Sequence, residues 1–126
     1  MIPQQNISIL CVDDDPGNLR FLERVLAANG YPPMTAANGF KGLAVMNRNR
    51  HQVQLVILDL RMSGVDGFAF IERARIAGYA GKFIVLSGAI SPSDRAWLHD
   101  LGITVILQKP APLSTLLNAV RAAQIG

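Results

Sequence analysis

Asp13, Asp14 and Asp15 stand in a row where the first apolar run of the chain, Ile7 to Val12, ends. Packing carboxylates together is unfavourable, because like charges repel and raise one another's pKa. A divalent cation removes that cost, and hard cations such as Mg²⁺ prefer oxygen ligands. A second apolar run, Leu55 to Leu58, also ends in a carboxylate, Asp59. Two later runs end in a hydroxyl, Ser87, and in an amine, Lys109, which precedes Pro110. An acid cluster, a separate carboxylate, a hydroxyl and an amine are the parts of a phosphoryl-transfer site. Such a site needs a positioned nucleophile, a metal and positive charge on the equatorial oxygens. A carboxylate can itself accept the group as an aspartyl phosphate.

These residues converge only if the elements between them bring the ends of the runs together. Apolar runs alternate five times with helix-period segments. The expected strands are Ile7–Val12, Met34–Ala37, Leu55–Asp59, Phe83–Ser87 and Val105–Gln108. After the first, Leu19, Leu22, Val25 and Leu26 share a helical face that stops near Asn29-Gly30. After the second, Gly39–Asn47 carries Phe40, Leu43, Ala44 and Met46. After the third, Gly64 to Gly67 forms a turn and Phe68, Ile71 and Ala74 line a helix. After the fourth, Ser91-Pro92-Ser93-Asp94 has an N-cap, a proline at N1 and an acid in the first turn. That helix is expected to bury Trp97, Leu98 and Leu101 and to end at Gly102. After the fifth, Leu113, Leu116, Leu117 and Val120 repeat at i, i+3, i+4 and i+7. Regular βα alternation implies a parallel sheet with helices on both faces. Ligands bind such sheets beyond the strand carboxyl ends, where Asp13–Asp15 and Asp59 fall.

The bulk properties narrow the setting. A chain of 126 residues, half of them hydrophobic, can fold as one globular domain. No apolar run approaches the roughly 20 residues needed to span a bilayer. The first six residues lack the basic-then-apolar pattern of a secretory signal and read as a loose lead. One cysteine, Cys11, excludes an internal disulfide and reads as a small core residue. These features fit the cytoplasm, with no membrane partner. Net charge is +3, and four of the nine acids are placed in one site, so the remaining surface is basic. The basic residues are scattered, with no run and no interleaved aromatics, so direct nucleic-acid binding is not expected. A solvated surface or a docking face for an acidic partner is the better reading.

The chain resembles the receiver domains of two-component response regulators over nearly its whole length. The marks are Val12-Asp13-Asp14-Asp15-Pro16, Leu58 to Gly67, Leu86-Ser87-Gly88-Ala89 and Lys109-Pro110, in order, each closing an expected strand. The resemblance implies a single-domain, flavodoxin-like, doubly wound (βα)5 sandwich with strand order 2-1-3-4-5. It implies that Asp59 is the phosphoacceptor. It implies that Asp14, Asp59 and the backbone carbonyl of Arg61 bind Mg²⁺, with Asp13 acting through a metal-bound water. Ser87 would hydrogen-bond a phosphoryl oxygen and shift toward it. Lys109 would pair with Asp59 before transfer and with the phosphoryl group afterwards. The donor would be a phosphohistidine on a sensor histidine kinase or a histidine phosphotransfer protein. Transfer to Asp59 and its later hydrolysis would be self-catalysed, without the chain being a conventional enzyme.

Several residues have simpler readings: Asp15 as a helix cap, Asp66-Gly67 as a turn leading into a helix, His51 and His99 as surface groups, and Trp97 as a packing residue. Other positions depart from the family pattern. Ile106 stands where the family usually has Tyr or Phe, so the aromatic swing that reports phosphorylation is missing. Switching would then use the loops and helix after Ser87, or a changed dimer contact. Ala111 replaces a common aromatic after Lys-Pro. Ser63 replaces a common proline, which leaves the loop after Asp59 less rigid. Arg61 is expected to screen the phosphoryl group from water or to pair with a site carboxylate. A haloacid-dehalogenase-type phosphatase would need an aspartate where Arg61 stands. A flavodoxin-like cofactor binder would not place three aspartates in its phosphate loop. A degenerate receiver acting as a phosphorylation-independent scaffold is the alternative that Ile106 keeps open. The Met1 start favours an N-terminal receiver or a single-domain protein, and the expected partners include an output domain or a second copy in a homodimer.

Overall fold

A computed structural model of the chain describes residues 7–49 and 52–125. The expected N-terminal lead (1–6) and His51 lie outside the described residues. Strands and helices alternate as β1 (Ile9–Val12), α1 (Pro16–Ala28), β2 (Met34–Ala36), α2 (Gly39–Asn49), β3 (Leu55–Leu58), α3 (Gly67–Ile76), β4 (Lys82–Ser87), α4 (Pro92–Asp100), β5 (Val105–Gln108) and α5 (Leu113–Ile125). The sheet is parallel throughout, in the order β2-β1-β3-β4-β5. This is the expected flavodoxin-like arrangement.

Side-chain alternation along the strands divides the core in two. Leu10, Val12, Val56, Leu58, Phe83 and Val85 face α2, α3 and α4. Ile9, Cys11, Leu55, Ile57, Ile84 and Leu86 face α1 and α5. The central strands β1 and β3 are buried at every position, as strands covered on both faces must be. The edge strands are not: β5 is half-buried and ends in exposed Gln108. Ile106, paired with Val85, packs its half-buried side chain against the first core.

Most boundaries fall within two residues of expectation. Ile7 and Ser8 precede β1 rather than belong to it, although the Ser8 carbonyl accepts from Gln54 and Leu55. Ala37 and Asp59 lie just beyond their strands, α2 runs two residues further, and Lys82 joins β4. Two packing expectations need correction. Trp97 is 55% exposed; Leu98 is the buried residue of α4. In α3 the core aromatic is Phe70, with Phe68 half-exposed and tilted against the Trp97 ring at 5.6 Å. A helix ten residues long buries one narrow stripe, and here that stripe runs through Phe70, Ile71 and Ala74.

The caps form as the residue types suggest. Asp15 accepts from Gly17 and Asn18 at the start of α1, and Asp66 accepts from Ala69 at the start of α3. Gly30, at φ 87°, turns the chain after α1. Gly67 matters for a different reason. A Cβ there would lie 2.7 Å from both the Asp59 carbonyl oxygen and the Leu60 Cα. Only glycine lets α3 start this close to the end of β3. Gly67→Ala is therefore expected to destabilise the fold by about 1–3 kcal/mol, as overpacking against backbone does. Urea unfolding of the variant measures it.

Among the described residues, no helix is long and apolar enough to cross a membrane.

Candidate functional site

Backbone bonds just past the strand ends place the acids. The Asp13 N–H donates to the Ala36 carbonyl, extending the β1–β2 ladder, and the Asp59 N–H donates to Val12, extending β1–β3. On the other side, Ser87 lies opposite Gln108, and the Lys109 N–H donates to the Ser87 carbonyl at 2.8 Å. Four side chains from four strand ends thus meet at the carboxyl edge of the sheet.

Asp59 is held from both of its oxygens. Oδ1 accepts from the Ser87 hydroxyl at 2.9 Å and from the Arg61 N–H at 3.0 Å. Oδ2 accepts from Lys109 Nζ at 3.0 Å. The same ammonium donates to Asp13 Oδ2 at 3.1 Å, while Asp13 Oδ1 accepts from the Asp15 N–H. Asp13 and Ser87 are the buried polar residues among the described residues, at 2% and 0% exposure. Neither is left without a partner, as burial requires. Burial works against the Lys109 ammonium, but its bonds to Asp59 and Asp13 outweigh that and raise its pKa above the ordinary 10.5. It is a fixed cation at neutral pH.

Asp14 sits at the exposed rim, where its Oδ2 accepts from the Ser63 N–H at 3.0 Å. This bond exists because residue 63 is not proline, which has no N–H to give. The expected loosening of the loop is therefore offset by a tether to Asp14. Sequence reasoning missed this donor, because backbone N–H groups leave no mark in a sequence. Asp15 does not join the site with Asp13 and Asp14; its carboxylate caps α1 instead. The Arg61 guanidinium does not take one of its two expected roles, the pairing with a site carboxylate. It pairs instead with Asp94 of α4, outside the acid cluster. Asp94 is itself held below the usual carboxylate range, chiefly by the Ser91 N–H and secondarily by the Ser91 hydroxyl and Arg61.

The donor set suits a hard divalent cation. The carboxylates of Asp14 and Asp59 and the carbonyl of Arg61 would be its ligands, beside Asp13, which is buried. Two carboxylates, Asp13 and Asp59, share the Lys109 ammonium, which leaves that cluster net negative. Among the described residues, no group of three or more His, Cys, Asp or Glu side chains is placed to hold a metal ion. Mg²⁺ binding here would therefore rest on one or two carboxylates, a carbonyl and several waters.

The family profile of the response regulator receiver domain matches residues 9–121. The chain belongs to the response regulator receiver family. Relatives of this receiver include the transcriptional regulatory protein GlrR of Escherichia coli (strain K12), 36% identical over 112 residues. That match covers 89% of the chain and 25% of GlrR. The response regulator MprA of Mycobacterium sp. (strain KMS) is 34% identical over 116 residues, covering 92% of the chain and 50% of MprA. The receiver thus spans a quarter to a half of the length of these curated relatives. The chemotaxis protein CheY4 of Vibrio cholerae superposes with a TM-score of 0.86 at 26% identity, over 94% of this receiver and 99% of that chain.

Proposed function

We propose that this receiver takes a phosphoryl group onto Asp59 and changes conformation in response. The observation that carries the reading is the fixing of the Asp59 carboxylate by three donors: Ser87 Oγ, Arg61 N–H and Lys109 Nζ. In transfer, an Asp59 oxygen bonds to phosphorus, the phosphorus–nitrogen bond of a phosphohistidine breaks, and the imidazole leaves. Lys109 offsets the repulsion between the anionic nucleophile and the anionic group, then pairs with the phosphoryl oxygens. Ser87 donates its hydroxyl to one of those oxygens and shifts toward it. Mg²⁺, held by Asp14, Asp59 and the Arg61 carbonyl with Asp13 acting through a bound water, would neutralise charge on the group in flight. Hydrolysis of the acyl phosphate returns Asp59 to its free state.

The donor is a sensor histidine kinase or a histidine phosphotransfer protein in the cytoplasm. It must approach past Lys109. Beside that residue opens an apolar cavity of about 430 Å³, lined by Phe21, Leu22, Ala111, Leu113 and Leu116 of α1 and the α5 side. Phe21 is 57% exposed there. Exposed aromatic surface next to a reacting group is where a partner can gain affinity. The phosphorylated receiver then acts on an output domain or a homodimer partner, as a unit covering residues 1–126.

Acetyl phosphate replaces the protein donor in the test. With Mg²⁺ it is expected to retard the protein on a phosphate-affinity gel, and chelation with EDTA is expected to abolish the retarded band. A receiver that never shifts with Mg²⁺ present is a scaffold, and the proposal fails.

A further inference from the structure

The loop after β3 and the start of α4 are joined by one ion pair, Arg61 with Asp94. Arg61 is held at both ends. Its N–H donates to Asp59 Oδ1 at 3.0 Å, and its guanidinium, on a side chain 54% exposed, donates to Asp94 Oδ2. That same Asp94 oxygen accepts from the Ser91 N–H at 2.9 Å, while the Asp94 N–H donates to Ser91 Oγ at 3.0 Å. One carboxylate oxygen therefore serves both the capping box of α4 and the tether to the loop. Three residues on, Trp97 leans against Phe68 of α3. It is the single tryptophan of the chain.

A guanidinium binds phosphate or carboxylate through paired, charge-assisted hydrogen bonds, whereas the contact with Asp94 runs through one nitrogen, Nη2, which leaves a phosphoryl group able to offer more. A phosphoryl group on Asp59 would place such an anion beside the backbone of Arg61. We propose that Asp94 restrains Arg61 and competes with the phosphoryl group of Asp59 for its guanidinium. The proposal rests on Asp59 being the acceptor. Linkage makes the competition reciprocal. Asp94 shortens the phosphoryl lifetime by withholding a guanidinium that screens the group from water. The phosphoryl group, by drawing Arg61 away, releases the start of α4 from the loop. Phosphorylation then reaches α4 without an aromatic residue at position 106, where Ile106 has no swing to offer.

The test uses four forms: wild type, Asp94→Asn, Arg61→Ala and the double variant. The Asp94→Asn amide would keep an oxygen for the Ser91 N–H and lose the charge that holds Arg61, so the cap and the ion pair are separated. Each form is phosphorylated with acetyl phosphate and Mg²⁺ and freed of donor. Adduct decay is followed by intact mass and α4 by Trp97 emission. With the Arg61 side chain 54% exposed, the ion pair is limited to an effect of about fivefold, so Asp94→Asn is expected to lengthen the lifetime roughly three- to fivefold. The double variant should decay like Arg61→Ala. The emission change on phosphorylation should be large in wild type and small in Asp94→Asn, where the tether is already gone. A lifetime unchanged in Asp94→Asn, or lengthened equally without Arg61, overturns the competition while leaving the acceptor intact. No adduct in wild type overturns the acceptor assignment itself, and the competition with it.

Discussion

Replacing Lys109 with alanine is expected to destabilise the receiver by about 2–3 kcal/mol and to make its stability strongly Mg²⁺-dependent. Its ammonium is the cation bonded to both Asp13 and Asp59, whose side chains are only 3% and 11% exposed. Removing one partner of a buried pair costs about 3–5 kcal/mol, because the charge left behind has lost its compensation. The Lys109 side chain is 21% exposed, so water offsets part of that here. Added Mg²⁺ should restore more stability to Lys109→Ala than it adds to wild type, since it supplies positive charge to the same carboxylates. Urea unfolding of both proteins, with and without Mg²⁺, measures this. Equal stability of the two in EDTA would contradict it. The alkaline limb gives a second reading. A raised lysine pKa stabilises the fold fully below the unfolded value near 10.5, and that contribution is lost as pH rises through the folded value. Wild type should therefore lose stability above about pH 10.5, toward the level of Lys109→Ala.

Phe70→Ala should cost more, about 3–5 kcal/mol, as loss of a fully buried aromatic does. Phe70 is inaccessible to solvent, and its ring meets the Phe83 ring edge-on at 6.4 Å. It also reaches α2: a Cβ on Gly42 would lie 2.8 Å from the ring. The ring fills the gap between α2, α3 and the sheet, where no neighbour can collapse without moving a helix. Gly42→Ala supplies the internal control. Alone it should destabilise, because its methyl meets Phe70 and Val12. Combined with Phe70→Ala it should cost less than it does alone, since the ring is gone and only the Val12 contact remains. The non-additivity of that cycle is the prediction. Additive costs would show that the two positions do not share the space.

Both effects arise where strand ends and helix faces meet, and the sequence signals differ there. The alternation of buried strands was legible because β1 and β3 are apolar at every position. Ser91-Pro92-Ser93-Asp94 and Asp15-Pro16 announced their caps by residue type alone. The convergence of Asp13, Asp59, Ser87 and Lys109 was legible because each closes a parallel strand, and parallel strands end on one side. What stayed hidden was contact through space without periodicity. Arg61 and Asp94 are 33 positions apart, and nothing in either neighbourhood names the other. The exposure of Trp97 was misjudged because hydrophobicity does not say which side of a nine-residue helix has room beneath it. The tether from Ser63 to Asp14 comes from a backbone N–H, visible beforehand only as the absence of a proline.

Locating the phosphoryl group tests the acceptor assignment most directly. Wild type and Asp59→Asn are treated with acetyl phosphate and Mg²⁺, cleaved, and mapped by tandem mass spectrometry. The predicted result is a hydroxylamine-labile modification confined to the wild-type peptide that carries Leu58 to Arg61. Modification at another residue, or an equal yield from Asp59→Asn, would contradict it.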